Sequence, residues 1–168
     1  FKRISGDDRK MKLLLSGWLL FQVLMLSTPA FSGRLFARTL YRENSLYQHI
    51  VVAEDRIAGK RFIVVNAVPQ GGILMEEPDR LVFEYSRMAF LSLAFLDREP
   101  ETVLFLGLGS GSMPRYFSER YPDTAVDIVE IDPVMKEVAE RFFHFRETEN
   151  LSVHLQDGRL FIKRKPGS

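Results

Sequence analysis

The chain has 168 residues, a formal net charge of +1 and 46% apolar residues. That length holds one domain with a real core, or one domain and a small appendage, and the near-zero charge with ordinary apolar content excludes a disordered chain and a nucleic-acid-binding face. It contains no cysteine, which excludes disulfides and thiolate metal sites, and His49, His144 and His154 are scattered without ligand spacing, so no metal site is expected.

Residues 1–10 carry no pattern and precede Met11. Residues 11–32 read as a targeting segment. Lys12 gives the positive start, residues 13–26 the apolar core, and Thr28-Pro29-Ala30 or Ala30-Phe31-Ser32 a small-residue cleavage site. The core is short for a bilayer span and is diluted by Gly17 and Gln22. A cleaved signal is therefore expected, with membrane attachment through residues 13–31 as the alternative. The first makes the protein periplasmic or secreted. In the second, Arg34, Arg38 and Arg42 keep the following domain on the cytoplasmic side, unless Lys2, Arg3, Arg9 and Lys10 are translated and reverse the balance.

Residues 45–75 read as β structure. Strands are expected at 49–53 and 61–65, with a hairpin-like connection at 55–60. Pro69-Gln70-Gly71-Gly72 reads as a second turn leading into Ile73-Leu74-Met75. A helix is expected from an Asp79 cap through Leu81, Tyr85, Met88, Leu91 and Phe95, ended by Asp97-Arg98-Glu99-Pro100. It is apolar around much of its surface, which predicts burial.

An α/β unit follows. Strands are expected at 103–106, 125–131 and 151–155, with helices at about 113–121 and 133–143. Pro114 fits a first helical turn, and Asp132-Pro133 is a cap. The first strand runs into Gly107-Leu108-Gly109-Ser110-Gly111, and the second ends on Glu130. Glycines there let a backbone approach a ligand, and a carboxylate at the next strand end takes both hydroxyls of a ribose. Ser112 stands where a dinucleotide fingerprint wants its last glycine, which favours an S-adenosyl ligand over NAD. The fold class is therefore α/β: the front half of a Rossmann-like S-adenosyl-binding domain with three parallel strands, preceded by a small β-hairpin domain. The expected division is 1–33 for upstream residues and targeting segment, 34–78 for the hairpin domain and 79–168 for the partial Rossmann-like domain. A sheet of this topology needs a fourth strand beside the first, so the sequence reads as part of a longer protein or of an assembly.

The ordered set Ser45-Leu46-Tyr47-Gln48-His49-Ile50, Gly59-Lys60-Arg61, Gln70, Asp79, the glycine turn, Val129-Glu130-Ile131-Asp132 and Asp157-Gly158 resembles the polyamine aminopropyltransferases, such as spermidine synthase, over residues 43–162. The resemblance implies transfer of an aminopropyl group from decarboxylated S-adenosylmethionine to a polyamine amine, without metal, in a homo-oligomer. It implies that Gly107, Gly109, Ser110, Gly111 and Gln48 hold the donor, Gln48 near its methionine-derived part. Glu130 then takes the ribose, Asp157 the adenine amino group, and Gln70 lies beside the acceptor channel. The family's catalytic base, an Asp after the fourth strand, is expected beyond Ser168, so the chain as given is expected to be inactive alone.

Departures from the family pattern open other readings. The family has Asp at Ser110, where a carboxylate holds the aminopropyl ammonium, and a serine cannot neutralise it. Phe83-Glu84 replaces Tyr followed by His or Gln, with Glu84 a candidate replacement charge on the substrate, and Asn66-Ala67 replaces Asp-Gly. The alternatives are an S-adenosylmethionine-dependent methyltransferase on the same scaffold, and a non-catalytic secreted or anchored relative.

Overall fold

The computed structural model describes residues 37–164, and the targeting segment lies outside the described residues. Four antiparallel strands come first, in the order β1-β2-β3-β4: β1 Ala37–Asn44, β2 His49–Asp55, β3 Lys60–Val65 and β4 Val68–Leu74. β1 was not expected from the sequence, because Arg38, Arg42, Glu43 and Asn44 leave it little apolar signal and none of its residues is fully buried. The second turn also moves. Asn66 and Ala67, at φ 48° and 68°, make the β3–β4 connection, as a tight hairpin with both central residues left-handed requires. Pro69, Gln70, Gly71 and Gly72 belong to β4 instead. Proline is tolerated there because β4 is an edge strand. Val64 pairs with Pro69 and Ile63 with Gly71, so Gln70 is the extra residue of a β-bulge.

The expected long buried helix is two short pieces, α1 Glu84–Ala89 and a 3-10 turn at Phe90–Phe95, entered from Phe83 rather than from Asp79. Asp79 instead pairs with Arg115 at 3.1 Å. Burial is one-sided. Phe90 stacks on Phe117 with ring centroids 5.9 Å apart, while Tyr85, Met88, Leu91 and Phe95 are more than half exposed. An apolar perimeter cannot bury itself where only one face meets a neighbour.

The second sheet is parallel, β5 Thr102–Leu106, β6 Ala125–Glu130 and β7 Leu151–Leu155, in the order β5-β6-β7. α2 Ser112–Arg120 and α3 Pro133–Phe142 make the crossovers, and α4 Gly158–Arg164 follows β7. The strands, α2 and α3 lie where the sequence placed them, whereas α4 was not expected; Asp132 caps α3 with Pro133 in its first turn, as expected.

The two sheets share one core. Ile50, Val52, Ile63 and Ile73 of the antiparallel sheet cluster with Ile128, Val138, Phe143 and Leu151 of the parallel half. Arg61 fastens the join: it donates to the Phe142 carbonyl at 2.9 Å and to Glu54 Oε2 at 2.7 Å. The first bond satisfies a carbonyl at the C-terminus of α3, where a cation also complements the helix dipole. Among the described residues no helix is long and apolar enough to cross a membrane.

Candidate nucleoside site

The β5–α2 turn is built by left-handed glycines, with φ of 96° at Gly107, 58° at Gly109 and 71° at Gly111. At Gly111 the requirement is doubled, since a Cβ there would lie 2.5 Å from Phe145 Cδ2. The Gly107 N–H donates to the Val129 carbonyl at 2.8 Å, which carries the ladder between β5 and β6 into the turn.

Glu130 ends β6 beneath this turn and is 7% exposed. Its Oε2 accepts the Leu108 N–H and its Oε1 the Asp132 N–H, both at 2.9 Å. The carboxylate is thus locked in one rotamer by two backbone donors, and each oxygen keeps lone-pair capacity for a ligand hydroxyl.

Two hollows open on either side of Gly107. One, of about 320 Å³, is lined by Gln70, Gly71, Phe83, Tyr85, Gly109 and Ser110 among others, all of them uncharged. The other, of about 300 Å³, is lined by Glu130, Ile131, Asp157, Gly158, Arg159 and Ile162 among others. Leu106 and Gly107 line both, so a ligand crossing Gly107 would reach from Glu130 and Asp157 in the second hollow into the first.

Within the first hollow the hydroxyls are ordered by proton counting. Ser112 donates its single proton to the Gly72 carbonyl at 3.0 Å. The proton between Ser110 and Ser112, whose oxygens are 2.9 Å apart, therefore comes from Ser110. Ser110 is left with lone pairs only and acts toward the hollow as an acceptor. It is close-packed against β4, for a Cβ on Gly71 would lie 2.5 Å from its Oγ. Gln70, turned out of the ladder by its bulge, lines the same hollow, and its carbonyl accepts the Tyr85 hydroxyl at 2.7 Å. Partial burial raises the Tyr85 pKa, which keeps the phenol protonated as that donor.

Asp157 opens α4. Its Oδ1 accepts the N–H groups of Arg159 and Leu160 at 2.8 and 3.2 Å, and its Oδ2 pairs with Arg159 at 3.1 Å. The Arg159 guanidinium first, then the Leu160 N–H, holds its carboxyl below the usual range. It therefore enters the second hollow ionised and acceptor-only.

The remaining candidates lie elsewhere. Gln48 lines neither hollow; its side-chain amide donates to Asp132 Oδ2 at 3.1 Å, immediately behind Glu130. Glu84 opens α1 and lines neither hollow, while its neighbour Tyr85 does. Sequence reasoning missed Ser112 and Tyr85 as lining residues. A hydroxyl after the last glycine was the available signal for Ser112, and Tyr85 had none.

No protein-family model matches the chain. Over 154 residues, 87% of this chain and 49% of the relative, it is 37% identical to a polyamine aminopropyltransferase of Vibrio vulnificus. Over 94 residues, 52% of this chain and 13% of the relative, it is 37% identical to the eEF1A lysine and N-terminal methyltransferase of Mus musculus. Among solved structures, a probable spermidine synthase from Corynebacterium glutamicum matches with a TM-score of 0.62 and 25% identity, over 74% of this chain and 47% of that one. The chain spans about half the length of the Vibrio and Corynebacterium proteins. The methyltransferase likeness covers about half of the chain, whereas the aminopropyltransferase likeness extends over most of it. The likeness that extends over most of the chain is therefore the one to polyamine aminopropyltransferases, or spermidine synthases.

Proposed function

We propose that this chain supplies the donor-nucleoside part of an aminopropyltransferase, taking decarboxylated S-adenosylmethionine and a polyamine amine as substrates. The observation that carries the reading is Glu130, held by the Leu108 and Asp132 N–H groups in the lining of the second hollow, which shares Leu106 and Gly107 with the first. In this reading Glu130 accepts both ribose hydroxyls, and Asp157 accepts the adenine amino group in the hollow beside it. The aminopropyl arm lies in the uncharged hollow, with its ammonium on the lone pairs of Ser110 and its length beside Gln70. The acceptor amine attacks the carbon bonded to the sulfonium, the C–S bond breaks, and a neutral thioether leaves as the attacking nitrogen gives up a proton. The chain's own contribution is positioning and exclusion of water.

One observation favours a second reading, methyl transfer from intact S-adenosylmethionine. The first hollow has hydroxyl and backbone groups but no carboxylate in its lining, so it does not repel a donor that keeps its own carboxylate. Calorimetric titration with each donor separately decides between them. Tighter binding of the decarboxylated donor supports aminopropyl transfer, tighter binding of the intact donor moves the chain to methyl transfer, and binding of neither overturns both.

A further inference from the structure

Asp132 takes no part in the nucleoside contacts proposed above, yet it is the least exposed polar residue beside them, at 0%. Its carboxylate divides its oxygens between two parts of the fold. Oδ1 accepts the Val134 N–H at 3.0 Å and caps α3. Oδ2 accepts the Ser45 hydroxyl at 2.5 Å and the Gln48 side-chain amide at 3.1 Å, from residues 87 and 84 positions away in the β1–β2 turn. Having donated to Asp132, the Ser45 oxygen accepts the Tyr47 and Gln48 N–H groups at 3.1 and 3.0 Å. The whole turn is therefore organised on one buried carboxylate. A carboxylate accepts only, so Gln48 must present its NH2 inward and leave its carbonyl Oε1 facing away from Asp132. The same residue reaches the nucleoside carboxylate, because the Asp132 N–H donates to Glu130 Oε1.

We infer that Asp132 is a positioning residue that couples the β1–β2 turn of the antiparallel sheet to Glu130 of the parallel sheet. Through Oδ2 it sets the turn and the sense of the Gln48 amide, and through its N–H it sets the rotamer of Glu130. The two sides of the join then hold one relative geometry. The effect on ligand binding rests on the reading of Glu130 as the ribose carboxylate; the coupling itself does not.

Asp132→Asn isolates the Oδ2 side of the residue. Asparagine caps a helix as well as aspartate, so Oδ1 can keep the Val134 bond. Its NH2 replaces Oδ2 and faces two donors, which forces the Gln48 amide to flip. Ser45→Ala is the second variant, should the first fail to fold. Both are made in the full chain and read by nitrogen-15 NMR and by calorimetry with S-adenosylhomocysteine. The expected result is that the Gln48 side-chain resonances and the Leu108 backbone resonance move together, since Leu108 donates to the other oxygen of Glu130. Affinity for the nucleoside is expected to fall about tenfold or more, as when a hydrogen bond to a buried charge is lost. Movement of the turn resonances with Leu108 unmoved would make Asp132 a local cap only and overturn the coupling. Equal affinity in wild type and variants, with Gln48 and Leu108 moving together, would support the coupling and overturn the reading of Glu130 as the ribose carboxylate. If the wild type binds no S-adenosylhomocysteine, the nucleoside reading fails, and the joint movement of Gln48 and Leu108 alone decides the coupling.

Discussion

Each oxygen of the Glu130 carboxylate already accepts one backbone N–H, from Leu108 and from Asp132, before any ligand arrives. The side chain therefore loses little rotamer freedom on binding, and the expected consequence of changing it is large. Glu130→Gln places an NH2 against one of those two donors, so the turn and the carboxylate site are both disturbed. Affinity for an adenosyl nucleoside is expected to fall by about tenfold to a hundredfold, measured by calorimetric titration. At Gly111 the expected effect is on folding instead. Gly111→Ala adds a Cβ 2.5 Å from Phe145 Cδ2 at a φ of 71°, and should cost about 2–4 kcal/mol of stability by denaturant unfolding.

Among the elements, β3 and α3 are joined by a charge that also sets an acid limit. The Arg61 guanidinium, assisted by Arg56, lowers the Glu54 pKa, and Lys136 with the Val153 N–H does the same for Glu147. A carboxyl whose native pKa is depressed contributes stability above its unfolded value and loses it as pH falls through the lower native value. The melting temperature is therefore expected to be level near neutrality and to drop below about pH 4.5. Arg61→Met should lower it already at neutral pH and flatten the acid limb, which thermal scans across pH would show.

The parallel half was legible in the sequence because each of its elements carries a strong local signal. An unbroken apolar run marked β5, β-branched and apolar residues interrupted by single polar ones marked β6 and β7, the glycine turn fixed where α2 starts, and Asp132-Pro133 fixed where α3 starts. The antiparallel half was legible only where its strands are buried. β1 pairs along one edge and keeps its arginines in solvent, so nothing apolar marked it. Pro69 to Gly72 has turn composition but is an edge strand, and only the pairing with β3 shows Gln70 as a bulge. Of the candidate site, Glu130, Ser110 and Asp157 could be read from motifs, each at a strand end or in the glycine turn. The bonds from Asp132 to Ser45 and Gln48 could not, since they span more than eighty residues and depend on how the two sheets meet.

Across the whole of the described residues, apolar surface is concentrated around β5 and the helical turns before it. Leu106 is 62% exposed, Leu91 61% and Phe95 89%, and β5 is an edge strand of the parallel sheet. Exposed apolar side chains beside an unpaired parallel strand favour association. The isolated chain is expected to self-associate as its concentration rises, read by light scattering. Leu91→Lys with Phe95→Glu should reduce this association and change stability by no more than about 0.5 kcal/mol per site, as surface substitutions do. The antiparallel sheet has a consequence of another kind, in the order of events during folding. Its strands pair only with sequence neighbours through short turns, while the parallel sheet must close two helical crossovers. Closing the shorter loops first is entropically cheaper. Amides of β2 and β3 are therefore expected to gain hydrogen-exchange protection before those of β6 and β7 in pulse-labelled refolding. The wall of Ile50, Val52 and Ile63 then stands ready when α3 arrives, and the Arg61 bond to Phe142 forms as the final latch.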